Sequence, residues 1–337
     1  MMGRLLTPLA AVAIAAASPA GAQQFTMKIG FVTQKDPIEA YSNKVKESLE
    51  ARSGGKIKVE IYNAGQLGPE PRLVDGLQLG TIEQALFPPV YLKGLDPKFQ
   101  VVEAPGVFKT MRQAHLTVND PAIRGEFLSL LEPKNMVGGG IFVYTTIGYV
   151  AKTPIRTVDD FKGRKMRVIA SDAERGLMTA LGATGIPIAL GELTPALQTG
   201  VVDSVRSGVS IFTIFKFQQL AKYETITRDT PVVIIAFLSK PWLDKLPADL
   251  RKDAIDVCAE ESAKLDPIVN KFLGNAITGW TAGGGELIDM AAADKAEVVK
   301  RARAVSDKLF GADPNLAPMY KKLLETAAKY ENEKDPL

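Results

Sequence analysis

The feature that most constrains this chain is a rhythm near its start. From Phe25 to Phe87, apolar runs of strand length alternate with runs of helical period. "FTMKIGFVT" (Phe25–Thr33) reads as a strand. A helix is expected from about Ile38 to Arg52, because Tyr41, Val45 and Leu49 recur four apart and Gly54-Gly55 closes the run. "KIKVEIY" alternates Ile57, Val59 and Ile61, the period of a strand. "PRLVDGLQLG" gives a short helix ended by Gly80, and "TIEQALF" a buried strand. Strands separated by helices cannot be joined by tight hairpins. The pattern therefore predicts a mostly parallel sheet with helices on its faces, an α/β fold.

The second half repeats the style without repeating the residues. Thr157 and Asp160 open a short helix, and "RKMRVI" is a strand. Ser171 and Glu174 are spaced as a capping box for a helix closed by Gly182. "IPIAL" and "VVDSV" are strands, with Thr194-Pro195 starting the helix between them. "PADLRKDAIDVCAEESAKLD" is amphipathic, with Leu250, Ala254, Val257 and Cys258 on one face, and Pro267 is expected to interrupt or kink the pattern. Gly138–Gly140 and Gly283–Gly285 read as flexible turns.

Arg4, the short apolar run Leu5–Ala17 and the small residues Ala20-Gly21-Ala22 form a secretory signal pattern over residues 1–22. Cleavage is expected after Ala22; a retained anchor helix is the alternative. The charge of +3, spread over 41 basic and 38 acidic residues, lacks the concentrated basic face that nucleic acid requires. One histidine, His115, and one cysteine, Cys258, leave no basis for a zinc site or an internal disulfide. There is no phosphate loop, dinucleotide fingerprint or nucleophile elbow. No cofactor, no metal and no catalytic residue is expected, although Tyr144 or Glu192 would be the nominees for an exported enzyme acting on a small acid. A carrier that closes on a small molecule fits better.

"KGRKMRVIAS" (162–171) poses the sharpest question. Met166 and Val168 alternate with Lys165 and Arg167, so a cation stands in the middle of a strand. Arg167 either pairs with an acidic neighbour such as Glu192 or holds an anionic ligand. The residues alone leave both readings open.

Gly54–Leu86, "GGKIKVEIYNAGQLGPEPRLVDGLQLGTIEQAL", resembles the signature of substrate-binding proteins of TRAP (tripartite ATP-independent periplasmic) transporters, DctP type. The resemblance continues through "PIRTVDDFKGRKMRV", "ALGATGIPIALGELTPALQTGVVDSV" and "LSKPWLDKLPADLRKDAI". It implies a two-lobed periplasmic-binding-protein fold in which crossing strands and a long helix link the lobes around a ligand cleft. About 315 mature residues suit two lobes. Lobe I is expected over 23–146 with about 232–270, and lobe II over 147–231 with about 271–337. The resemblance also implies a periplasmic protein that binds a small organic carboxylate, with Arg167 as its bidentate clamp, and serves integral membrane subunits of the transporter; a monomer is the default expectation, with dimers known in the family. The binding component of another transporter class is the nearest rival.

The sequence departs from the family pattern where polar ligand contacts are usual. Ser207 stands at an asparagine position, Thr194 at a tyrosine position, Leu190 at an aromatic position, and Ile147 where some relatives carry a second arginine. By position, the other wall residues expected are Phe87, Pro88 and Pro89, then Tyr144, Thr145 and Thr146, and Phe212 with Ser210 after "VVD". One cation among apolar walls favours a monocarboxylate with an apolar or aromatic body, since a second carboxylate would be costly to bury unpaired. Arg206 could supply a second charge, but side-chain alternation turns it away from the face of Ser207.

Overall fold

The computed structural model describes residues 25–169 and 171–335, so the expected signal peptide lies outside the described residues. Nine strands among them form one mixed sheet. In chain order they are β1 (Phe25–Gly30), β2 (Ile57–Tyr62), β3 (Gln84–Phe87), β4 (Met136–Ala151), β5 (Lys165–Val168), β6 (Thr184–Pro187), β7 (Ser204–Gly208), β8 (Tyr223–Ser239) and β9 (Glu286–Ile288). Their spatial order is β2-β1-β3-β8-β4-β7-β5-β6, with β9 pairing β8. β1 pairs in parallel with β2 and β3, and β5 in parallel with β6 and β7. These are the two α/β units read from the sequence.

The long strands β4 and β8 run antiparallel and belong to both lobes. The half of β8 from Ile235 to Leu238 pairs with β3 of lobe I. The Ile147–Ala151 half of β4 pairs with β7 of lobe II. At the crossing the register breaks. Thr146 faces Pro231 and Gly148 faces Ile226, so four residues of β8, Thr227–Thr230, oppose Ile147 alone. Arg228 within this bulge has φ 56°, in the left-handed region that non-glycine residues rarely adopt. Bulges bend a strand and raise its twist, and this one lies where β8 passes from one lobe to the other.

Two of three local expectations change. Gly138–Gly140 are not a flexible turn but part of β4. A Cβ on Gly138 would meet the Leu128 backbone at 2.6 Å, and one on Gly140 would meet Ser262 at 2.6 Å, so glycine lets two helices press on the strand. Pro267 interrupts the helical pattern as expected: one helix ends at Ala263 and a new one, Asp266–Ala282, carries the proline in its first turn. The last helix, Ala317–Lys329, was expected with lobe II but packs on lobe I. The Gln113 side chain donates to Ala327 O at 2.8 Å, and Lys322 and Lys329 reach Glu126 and Asp120.

Candidate functional site

A cavity lies at the crossing, walled by both lobes. Lobe I contributes Val32, Thr33, Ile38, Glu70, Leu86, Phe87, Pro88 and Tyr91. The crossing strands contribute Tyr144, Val232 and Ile234, and lobe II contributes Arg167, Ile169, Leu190, Ser207 and Ile211. The lining is mostly aliphatic and aromatic, with a few convergent polar groups, the usual make-up of a small-molecule site. A wider mouth, sharing Val32, Thr33, Glu70 and Leu190 with the cavity, leads outward past Gln34, Glu192 and Phe215.

Arg167 is 2% exposed. It sits on β5 opposite Ile186 and Val205, so the strand on either side fixes its backbone. Its Nε donates to Ile188 O at 2.9 Å and its Nη1 to Arg206 O at 3.3 Å. Among the described residues no carboxylate oxygen lies within 4.0 Å of its guanidinium nitrogens. Glu192, the acidic partner considered for it, stands at the mouth instead. Burial lowers the Arg167 pKa from its ordinary value, opposed by the more distant Tyr91, Glu174 and Glu70. A buried cation that lines a cavity and lacks a carboxylate partner is costly.

Glu70 and Tyr91 are wall residues that sequence reasoning missed. Glu70 opens the helix Glu70–Leu79 and is 4% exposed. Burial pushes its carboxyl above the usual range, while its own backbone N–H, the Tyr91 hydroxyl and Arg167 pull the other way. Its context, "NAGQLGPEP", is rich in turn-forming residues and hides it. The available signal was an acidic residue between two prolines at a helix start, a place where the first N–H groups favour a carboxylate.

The expected wall residues divide. Phe87, Pro88, Tyr144, Leu190 and Ser207 line the cavity with Arg167. Tyr144 is held there by its hydroxyl, which donates to Asp36 at 3.0 Å; Asp36 in turn caps the helix Pro37–Arg52 by accepting from Glu39 N. Pro89, Thr145, Thr146 and Phe212 do not line it. Pro89 is buried in the turn Pro89–Leu92 behind Pro88. Thr145 accepts from the Ser210 hydroxyl, and Thr146 donates to Thr230 O, so both serve the crossing. Phe212 is core, with Phe217 and Trp280 around it and Gly148 beneath. Alternation turns Thr145 from the face of Tyr144, and the register shifts of β4 around Thr145 and Thr146 and the short helix after β7 displace Thr146 and Phe212. Arg206 is turned from the cavity, toward Tyr149 on the neighbouring strand.

Residues 30–313 match the family model described as bacterial extracellular solute-binding protein, family 7. The C4-dicarboxylate-binding periplasmic protein DctP of Rhodobacter capsulatus is 29% identical over 293 residues, covering 85% of this chain and 86% of that protein. Two solved structures share the fold. One is a TRAP periplasmic solute binding protein from Desulfovibrio salexigens with bound orotic acid (TM-score 0.83, 21% identity, 90% of this chain and 97% of that one). The other is the sugar acid binding protein DctPAm from Advenella mimigardefordensis with galactonate (TM-score 0.84, 21% identity, 90% and 98%). With most of its length matched and a two-lobed fold around one cleft, the chain belongs to the bacterial extracellular solute-binding protein family 7, the DctP-type binding proteins of TRAP transporters, and is not an enzyme.

Proposed function

We propose that this protein captures an organic monocarboxylate with an apolar or aromatic body and hands it to the membrane subunits of its transporter. One observation carries the reading: Arg167 is buried against the cavity with no carboxylate partner among the described residues. A guanidinium fork matches a planar carboxylate in two parallel hydrogen bonds and stays charged at physiological pH. The ligand's own charge then supplies the missing partner. The aliphatic walls favour an apolar body, whose burial contributes about 25 cal/mol per Å². Orotic acid and galactonate, bound by the two structural relatives, each carry one carboxyl group. The C4-dicarboxylate protein is the counter-example, and Glu70 argues against following it. A second ligand carboxylate would meet this buried acidic group and, among the described residues of the wall, find no second cation. Closure around the ligand is a population shift, driven by contacts made only when the lobes meet.

The test is a thermal-shift panel of aliphatic and aromatic monocarboxylates, 2-oxo acids, dicarboxylates and sugar acids against the mature protein. Ligands that bind the folded state raise its melting temperature. Stabilisation by apolar monocarboxylates is the expected result. Stabilisation by dicarboxylates alone overturns the reading.

A further inference from the structure

Arg206 is completely buried on the face of β7 opposite the cavity, where an apolar side chain would be the ordinary occupant. Its Nη1 donates to Glu174 Oε1. Its Nη2 donates to Asp229 Oδ1 at 2.6 Å and to Thr230 Oγ1 at 2.7 Å, and its Nε to the Tyr149 hydroxyl at 3.3 Å. Tyr149 and Thr227 donate to the other oxygen of Asp229, at 2.8 and 2.6 Å. Thr227, Asp229 and Thr230 all belong to the four-residue bulge of β8. One guanidinium thus grips the helix Asp172–Ala180 through Glu174 and the crossing strand through its bulge.

The same cluster reaches the site by two main-chain routes. The carbonyl of Arg206 is one of the two that hold the Arg167 guanidinium. The second oxygen of Glu174 accepts from Ile169 N at 2.7 Å, and Ile169 lines the cavity. A buried ion triad generally stabilises a fold no better than well-packed apolar residues do, so its presence here calls for a use beyond stability. Resting on the reading of Arg167 as the carboxylate holder, we propose that Arg206 is a positioning residue. Pinned between Glu174 and the β8 bulge, it fixes the carbonyl that aims Arg167 and ties that aim to the crossing between the lobes.

The experiment uses 15N-labelled, ligand-free protein. The Nε–H signal of Arg167 is assigned by its loss in Arg167→Lys, and its hydrogen exchange is then measured in Arg206→Lys. A single ammonium cannot span Glu174, Asp229 and Thr230 as the fork does. Exchange at Arg167 Nε–H is expected to accelerate at least tenfold while the circular dichroism stays native. In parallel, the affinity ratio of phenylacetate to phenylacetamide is measured. This ratio is expected to fall at least tenfold in Arg206→Lys, because only the carboxylate depends on the aim of Arg167; general destabilisation lowers both ligands alike. Should Arg206→Lys fail to fold, Glu174→Gln carries the same two readouts. Unchanged exchange in a folded variant overturns the proposal, and so does unfolding of both variants, which makes the cluster purely structural. If wild-type protein itself does not prefer phenylacetate, the carboxylate reading fails, and the exchange measurement still decides the role of Arg206.

Discussion

Replacing Arg167 by methionine separates the two demands on this residue. The guanidinium gives up two hydrogen bonds to carbonyls, at 2.9 and 3.3 Å. Bonds from a charged donor contribute about 1.5–3 kcal/mol each, so about 3–6 kcal/mol is lost. Against this, the ligand-free protein no longer buries a cation without a counter-ion, a penalty of several kcal/mol. The two nearly offset, and the unliganded variant should differ in stability by no more than about 2 kcal/mol. That is a change in melting temperature of less than about 8 °C. Binding should behave differently. Truncating one partner of a buried charge pair costs about 2–5 kcal/mol, or roughly 30- to 5,000-fold in dissociation constant. Differential scanning fluorimetry with and without an acid that stabilises the wild type reads both quantities. A near-wild-type melting point without ligand, together with loss of the ligand-induced rise, is expected. A collapse of the unliganded protein shows that Arg167 holds lobe II together, and an undiminished ligand response shows that the carboxylate sits elsewhere.

Glu70→Gln removes the acidic group that shares the cavity wall with Arg167 and should raise affinity for dicarboxylates relative to monocarboxylates, by at least about threefold in a competition assay; no change in the ratio means Glu70 does not shape selectivity. Glu224 is 1% exposed, neither of its oxygens has a hydrogen-bond partner among the described residues, and burial raises its pKa to about 8. Because the folded state holds this proton more tightly than the unfolded chain, the stabilisation is present below the ordinary carboxylate range and is lost as pH rises toward 8. Glu224→Gln should therefore flatten the fall in stability between about pH 5 and 8 and stabilise the protein at pH 9 by a few kcal/mol, read by denaturant titration. Gly106 has φ 73°, and a Cβ there would lie 2.5 Å from Arg303 N and 2.7 Å from Val299 O, both backbone atoms. Gly106→Ala should cost about 2–4 kcal/mol, since neither the turn nor the helix Ala292–Ser306 can yield; a near-neutral result in thermal unfolding refutes that rigidity.

Periodicity made the elements of the two α/β units readable, because β1, β2 and the helix Pro37–Arg52 each bury one clean face. It failed for β4. Its glycines signal close approach by helices distant in sequence, which no local window contains. It also failed for Glu174. Ser171 does accept from Glu174 N, as a capping pair predicts, but the Glu174 carboxylate turns to Arg206 and Ile169 N instead. The site was legible at Arg167, where a cation interrupts a strand, and illegible at Glu70, where a turn-like context masked a buried acid. Thr145, Thr146 and Phe212 stand one or two residues from cavity-lining Tyr144 and Ile211. Position along the chain located the segment but not the facing, which the crossing bulge alters.

The shared strands also bear on how the chain can come to be folded. β3 ends at Phe87 but takes its partner from Ile235–Leu238, and the helix that closes lobe I is Ala317–Lys329. Neither half of the molecule is a continuous stretch of chain, so each is completed only by segments distant in sequence. Such long-range pairing slows folding and prolongs exposure of unpaired strand edges. For a polypeptide expected to be threaded through a membrane before it works, slow closure of such distant pairings favours a chain that is still unfolded at export.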